Sequence, residues 1–590
     1  MLSDNHPTKG GPQQPSLPTE HRNEDQNAGA DTSAFGEGRF QLRVLLSVVV
    51  AGAISLVHSS IFRLSTREMD HWCMRPPAYS ELSVESWKQL AIPRDADGNY
   101  SRCKVRNPPY GGPSAQVVPC SEWEFNLSEY GNNVVSEWSL VCQRSHLKDI
   151  ATLVNFVATV FALPVIGAAA DRIGRKTITV VQLVALLLTL VCSGLARDFS
   201  TFAVTQVVVA ATSRSAFVLY VILYEVTTPS RRILYCTAAP ALSTIIVPIF
   251  VFLVDTFKLS WYWSQLIVAA LSSVLLAAFC VLEESPVWLL EMHNAEQAER
   301  VVVSAASVNA ISPSRSRDLF RRRLLSMDQT QNATTRGHTA SLIAVPELRK
   351  RSVVLAFTWV VLSAARGHYA EERGIPVSSH VRVLTSLGLA SLFLAVLPFL
   401  QENRFLKEAV VVSTLSCATA CAFLFLHFDG ELTFLGSVLM VIVRLSVNVA
   451  VVILFYLSAC LYPTRARCFG LGTCYAFAVI GNIGDFHLFS NVLVNREDIG
   501  FGIMALLLAL ASIAIENLPF GLPSQFENGM IFSQSAPTKE SVCQLDDFYQ
   551  KGPARAVLRP KSVTNGTRRS DKKPASTRAA TRANSIRFKN

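Results

Sequence analysis

The sequence predicts an all-α polytopic membrane protein with twelve transmembrane helices in two six-helix halves. Two observations carry that reading. Half of the 590 residues are hydrophobic and only 17% are charged, and the apolar residues gather into runs of about 20, enough to cross ~30 Å of hydrocarbon at 1.5 Å per residue. The runs lie near 41–62, 149–170, 177–197, 201–224, 233–255, 261–282, 352–370, 381–400, 408–427, 433–458, 468–490 and 500–518.

Residues 1–38 are rich in Pro, Gly, Asn, Gln and charge and lack a basic stretch followed by an apolar one. They read as a disordered cytoplasmic tail, with the first span as the insertion signal. The polar segment 63–148 follows, holding Cys73, Cys103, Cys120 and Cys142. Four cysteines in a loop too polar to bury thiols read as two extracellular disulfides, with three pairings open. Asn99 and Asn126 open glycosylation sequons on that side. Asn332 and Asn565 match the same pattern in segments expected to face the cytoplasm, where they should stay bare.

Between the second and third spans lies Gly167-Ala-Ala-Ala-Asp171-Arg172-Ile-Gly174-Arg175-Lys176. So short a turn forces its flanking helices antiparallel. Gly174 permits a tight bend, Gly167 lets a neighbouring helix approach, and the three cations mark the cytoplasmic side. The linker 283–351, with Arg315, Arg317, Arg321, Arg322, Arg323, Arg349, Lys350 and Arg351, and the basic tail 519–590 face the same side. The domains are therefore a first half over 39–282, the linker, and a second half over 352–518, an arrangement suited to alternating access around a central site.

The charged turn resembles the G-x-x-x-D-R-x-G-R-[RK] signature of the major facilitator superfamily. Asp70-His71-Trp-Cys73, Cys120-Ser-Glu-Trp123, Glu137-Trp138-Ser-Leu140-Val141-Cys142, Glu284-Ser285-Pro286-Val287-Trp288-Leu289 and Leu461-Tyr462-Pro463-Thr464…Arg467…Gly470-Leu-Gly472 narrow it. They are similar to motifs of the organic cation, anion and carnitine transporters, over about Phe35 to Leu518. The resemblance implies the major facilitator fold, secondary transport of a small organic solute, and a gating role for Gly167, Asp171, Arg172, Gly174, Arg175, Lys176, Glu225, Arg231 and Glu284. Departures are Ser139 for Asp, Val287 for Arg and Cys460 for Glu.

Charges inside spans are costly and point to function. Arg214 lies about 11 residues, or ~16 Å, before Glu225 at the cytoplasmic end of the fourth span. Arg444 lies about 16 residues, or ~24 Å, before Cys460 in the tenth. The resemblance implies that the first, fourth, seventh and tenth spans line the cavity. The candidate substrate-binding set is Arg214, Arg366, Arg444, Tyr456 and Asp485. Two guanidiniums suit a carboxylate or sulfate, unless Asp485 or Asp255 neutralises them. Val479 stands where related cation carriers have Asp and anion carriers have Arg, so neither selector is present.

Enzyme readings find no support. Cys417 and Cys421 lie one turn apart in an apolar span without a His pair, and Gly470-Leu-Gly472 opens a helix rather than following a strand. His58, His368 and His487 are spread over three spans. No cofactor or nucleic acid is implied. The partners are a small organic solute, with room for a coupling ion, and the bilayer, most naturally the plasma membrane with both termini cytoplasmic. An anion or zwitterion is favoured over a cation, and the alternative is a non-transporting receptor or scaffold.

Overall fold

The computed structural model describes Ala34 and residues 36–95, 98–112, 115–279, 282–331, 346–370, 406–427, 434–487 and 497–518. The expected eighth span, the stretch 401–405, residues 1–33 and 35 of the first tail, the whole of the tail 519–590, Asn332 and Asn565 lie outside the described residues, as do the side chains of His368, Asp485 and His487.

The first six spans are helical: α1 Arg39–Ser65, α2 His146–Ile173, α3 Arg175–Gly194, α4 Phe199–Thr212 continued by α5 Ala216–Val226, α6 Pro229–Phe257 and α7 Trp261–Phe279. On the linker lie α8 Pro286–Glu291, α9 Ala295–Val308 and α10 Pro313–Gln331. Then come α11 Pro346–Ala370, α12 Leu406–His427, α13 Phe434–Leu461, α14 Arg467–His487 and α15 Glu497–Glu516. Ten spans among the described residues are long and apolar enough to cross a bilayer. The expected seventh, α11, is helical but more polar, because it carries Arg349, Lys350, Arg351 and Arg366.

Helices apolar on every side must be buried in protein or lipid. The α5 segment takes the first course: Phe217 through Val226 are all buried. One apolar cluster joins the first seven helices to Ile453, Tyr456 and Leu457 of α13 and to Cys468 and Leu471 of α14. A second, around Trp359, Leu362, Val447 and Leu454, lies within α11 to α15. The helix α14 packs along α2 and along α11, and so reaches both clusters.

The loop after α1 is a small folded unit. Strands β1 His71–Cys73 and β4 Trp123–Phe125 pair antiparallel, and β2 Lys104–Asn107 pairs with β3 Gln116–Pro119. Trp72, Trp87, Ala91 and Ile92 form its core, and the Trp87 indole donates to the Cys73 carbonyl at 2.9 Å. Of the three pairings open to the four cysteines, the disulfides are Cys73–Cys120 and Cys103–Cys142. Asn99 is exposed, whereas Asn126 is half-buried and caps a helical turn by accepting from the Ser128 backbone N–H.

Candidate functional site

Two places carry charge inside the helical body. The first lies at the end of the helical body where α2 turns into α3. Gly174 has φ 125°, a left-handed conformation that favours glycine. This bend separates the turn's cations: Arg172 is exposed, Lys176 is half-buried, and Arg175 points inward with 0% exposure. Arg175 meets Asp171 at 3.5 Å and donates to the Glu225 carboxylate and, at 2.9 Å, to the Thr464 carbonyl. From beyond the linker, Arg467 at the start of α14 donates to Glu225 and, at 3.2 Å each, to the carbonyls of Ala459 and Tyr462. Ser285 adds a hydroxyl to Glu225.

Two buried carboxylates thus meet two buried guanidiniums, and each has further hydrogen bonds. Such a cluster repays its desolvation when the remaining donors are also satisfied, and among the described residues the buried Arg175 Nε is the guanidinium donor of the cluster left without a partner. The Asp171 carboxylate also accepts the N–H groups of Cys468 at 3.1 Å and Phe469 at 2.8 Å, which are free donors of the first turn of α14. Its backbone carbonyl receives the Trp288 indole at 2.9 Å. Gly167 lies directly against the Cys468 carbonyl, with no room for a side chain. Glu284 accepts from the backbone of Lys176 and Ser285 at 3.0 Å each; burial pushes its carboxyl above the ordinary range, although those bonds and Arg175 act in the opposite sense. Arg231 is more exposed and pairs with Glu37 at 3.0 Å, outside the Glu225 cluster. Together these contacts tie the turn between α2 and α3, and Glu225 at the end of α5, to the start of α14.

The second place lies deeper. A turn at Ser213–Ser215 interrupts the fourth span without changing its direction, since Ser213 and Ser215 keep right-handed helical dihedrals. Arg214 projects from that turn. It donates to the Tyr475 hydroxyl on α14 at 2.9 Å and to Ser59 on α1 at 3.1 Å, and it reaches Ser55 at 3.5 Å. Arg366 on α11 interacts electrostatically with Tyr475, Arg214 and Arg63. Neither Arg214 nor Arg366 meets a carboxylate among the described residues. His58, on the same face of α1 as Ser55 and Ser59, is 4% exposed and its Nδ1 finds no partner among the described residues.

Tyr456 is buried against Tyr224, with ring centroids 6.0 Å apart, toward the Val226 end of α5. Arg444 is half-buried in α13, and its carbonyl accepts from Asn448 at 2.8 Å. Asp485 belongs to α14, but its side chain is outside the described residues. Sequence reasoning passed over Tyr475 and named no role for Ser285 or Arg467. Those two had left a signal as members of quoted motifs, whereas Tyr475 had left none.

No established family profile matches the chain. Curated relatives do. The β-alanine transporter of Drosophila melanogaster is 25% identical over 76% of this chain and 79% of its own length, and the organic cation transporter protein of that fly is 22% identical over 86% and 94%. Solute carrier family 22 member 7 of Rattus norvegicus is 27% identical over 55% of this chain and 64% of its own length. The chain is a divergent relative of the organic ion transporters. Its fold is that of the major facilitators. The proton:xylose symporter XylE superposes with a TM-score of 0.54 at 12% identity, over 86% of this chain and 99% of its own, and the human organic anion transporter MFSD10 with 0.50 at 12%, over 81% and 100%. These relatives are carriers rather than enzymes, and this organic ion transporter relative is likewise a multi-pass membrane protein.

Proposed function

We propose that the chain is a secondary transporter of small organic anions or zwitterions that works by alternating access. The observation that carries the reading is the pair Arg214 and Arg366, one from each half, around the Tyr475 hydroxyl without a carboxylate among the described residues. Leaving two guanidiniums uncompensated inside a membrane span costs several kcal/mol, about 2.5 each or more. A solute carboxylate or sulfate would relieve that cost through charge-assisted, bidentate hydrogen bonds. β-Alanine, the solute named for one relative, is itself a zwitterion.

The closed cluster at Asp171, Arg175, Glu225 and Arg467 serves as the cytoplasmic gate. Its contacts cross between the proposed halves 39–282 and 352–518, so rocking the halves apart on that side requires breaking it. The loop 63–148 is extracellular and glycosylated at Asn99 or Asn126, both termini are cytoplasmic, and the protein resides in the plasma membrane. The test is uptake into cells of labelled organic anions, zwitterions and cations. Saturable anion or zwitterion uptake supports the reading. Preference for a permanent cation overturns the substrate class, and binding without flux marks a receptor.

A further inference from the structure

We propose that Tyr475 couples occupation of the cavity to movement of the halves. In the closed state its hydroxyl stands in the place of an anionic oxygen of the solute, and the arriving anion displaces it. This rests on the anion reading above. Arg214 has its Nη donors on three neutral hydroxyls, those of Tyr475, Ser59 and Ser55, and its buried Nε has no partner among the described residues. An ionised oxygen is the stronger acceptor for a guanidinium, so a carboxylate that enters between Arg214 and Arg366 competes with the phenol for the same donors.

The contact it replaces is a bridge between the two sides of the molecule. Arg214 sits in the α4–α5 turn, whereas Tyr475 belongs to α14, whose first turn is held by Asp171 and whose Arg467 is held by Glu225. The Tyr475 ring is not otherwise loose. It packs at 5.7 Å from Phe455 of α13 and 6.5 Å from Trp359 of α11, and Phe455 packs at 5.2 Å from Tyr220 of α5. Removing the hydroxyl tie therefore leaves the ring seated while it loosens α14 from the first half. Binding and release of the cytoplasmic contacts are then linked through one hydrogen bond, since a ligand shifts a conformational equilibrium only by interacting differently with the two states.

The experiment compares Tyr475→Phe with the unmodified full-length protein in proteoliposomes, using radiolabelled benzoate and the neutral benzamide as probes. Cys468 serves as reporter, because it is fully buried in the closed cluster; its labelling by a membrane-permeant maleimide is mapped by mass spectrometry. Phe keeps the ring contacts, so the fold is retained. Benzoate should bind about tenfold more tightly to Tyr475→Phe, the difference expected on removing one competing hydrogen bond of ordinary strength, with benzamide little changed. Cys468 labelling should rise on adding benzoate to the unmodified protein and should already be raised in Tyr475→Phe without it. Weaker benzoate binding by the variant would make Tyr475 a direct ligand, and unchanged Cys468 labelling would sever it from the gate; either overturns the proposal. Failure of the unmodified protein to bind benzoate while binding a cation would overturn the anion reading beneath it instead.

Discussion

Glu225 accepts hydrogen bonds from two arginines far apart in the chain, Arg175 of α3 and Arg467 of α14. With Glu225 6% exposed and Arg175 fully buried, water cannot replace the lost partner. Breaking such a pair from one side costs about 3–5 kcal/mol, and in a two-state carrier the closed form would bear that cost. Glu225→Gln is therefore expected to open the cytoplasmic side, raising Cys468 labelling more than tenfold while transport falls. Unchanged labelling at normal surface expression would show that the closure does not depend on this carboxylate.

Asp171 acts on the backbone instead. Its two oxygens hold the Cys468 and Phe469 N–H groups, so Asp171→Ala leaves two donors without partners as well as one less negative charge beside Arg175. Flux should drop several-fold at equal surface expression. An unaltered rate would reduce the charged turn to a topology signal.

Close packing gives a third expectation. A Cβ on Gly472 would lie 2.6 Å from the Leu163 carbonyl oxygen of α2, a contact that backbone cannot relieve by rotating a side chain. Gly472→Val should hold α14 away from α2 and trap the carrier open to the cytoplasm. Solute binding from the extracellular side would be lost although the protein still reaches the surface. Retained outside binding would contradict the seam between these helices as the closure.

Substrate sign is tested at Arg366. Arg366→Gln removes the charge and keeps polarity, so anion affinity should fall by about 1.5–3 kcal/mol, roughly tenfold to a hundredfold, while a neutral solute loses much less. Arg444→Gln, measured alongside, reports whether the guanidinium of α13 shares the task. Equal losses for neutral and anionic probes at Arg366 would point to disturbed packing rather than a charge effect.

The extracellular loop carries its own pH dependence. Burial works against the charge on Glu124, yet hydrogen bonds from Arg75 and the Trp72 indole hold its carboxyl below the ordinary value of 4.5, and Lys148 holds Glu68 low in the same way. A carboxylate with a depressed folded value contributes stability above its unfolded value and loses it as pH falls through the folded one. Proteolytic protection of the loop in the full-length protein should be complete at pH 7 and decline below about pH 4.5. Glu124→Gln should weaken the loop at pH 7 and flatten the decline; identical protection at both pH values would remove these pairs from the account.

The described spans were legible in the sequence because hydrocarbon thickness acts locally along the chain, and Asp171 stood out as a carboxylate in a basic turn, which the structure ties to the first turn of α14. The disulfide pairing was not, since four cysteines within one loop satisfy any of three pairings until β1 and β4 bring Cys73 beside Cys120. The partner of Arg214 was hidden for a different reason. Arg214 and Arg444 are conspicuous as cations in apolar spans, whereas Tyr475 looks like any core aromatic until α14 is laid against the α4–α5 turn. Arg467 was visible as part of a motif, but its task depends on Glu225, some 240 residues earlier.

The loop unit rests on one side of the molecule. Trp138 packs within 5.1 Å of Phe202 of α4 and of Trp261 at the start of α7, the Asn132 carbonyl accepts the Trp261 N–H at 3.3 Å, and Asn133 donates to the Arg67 carbonyl just after α1. Every one of these supports precedes the linker, and the disulfides keep the unit rigid. On the proposed division into halves, and by its contacts among the described residues, it would ride as a cap on the first half, like a handle fixed to one jaw of a clamp. A fluorophore attached at exposed Asp95 would report the tilt of that jaw against a second label on α15, and an antibody fragment gripping the cap would travel with it without jamming the stroke.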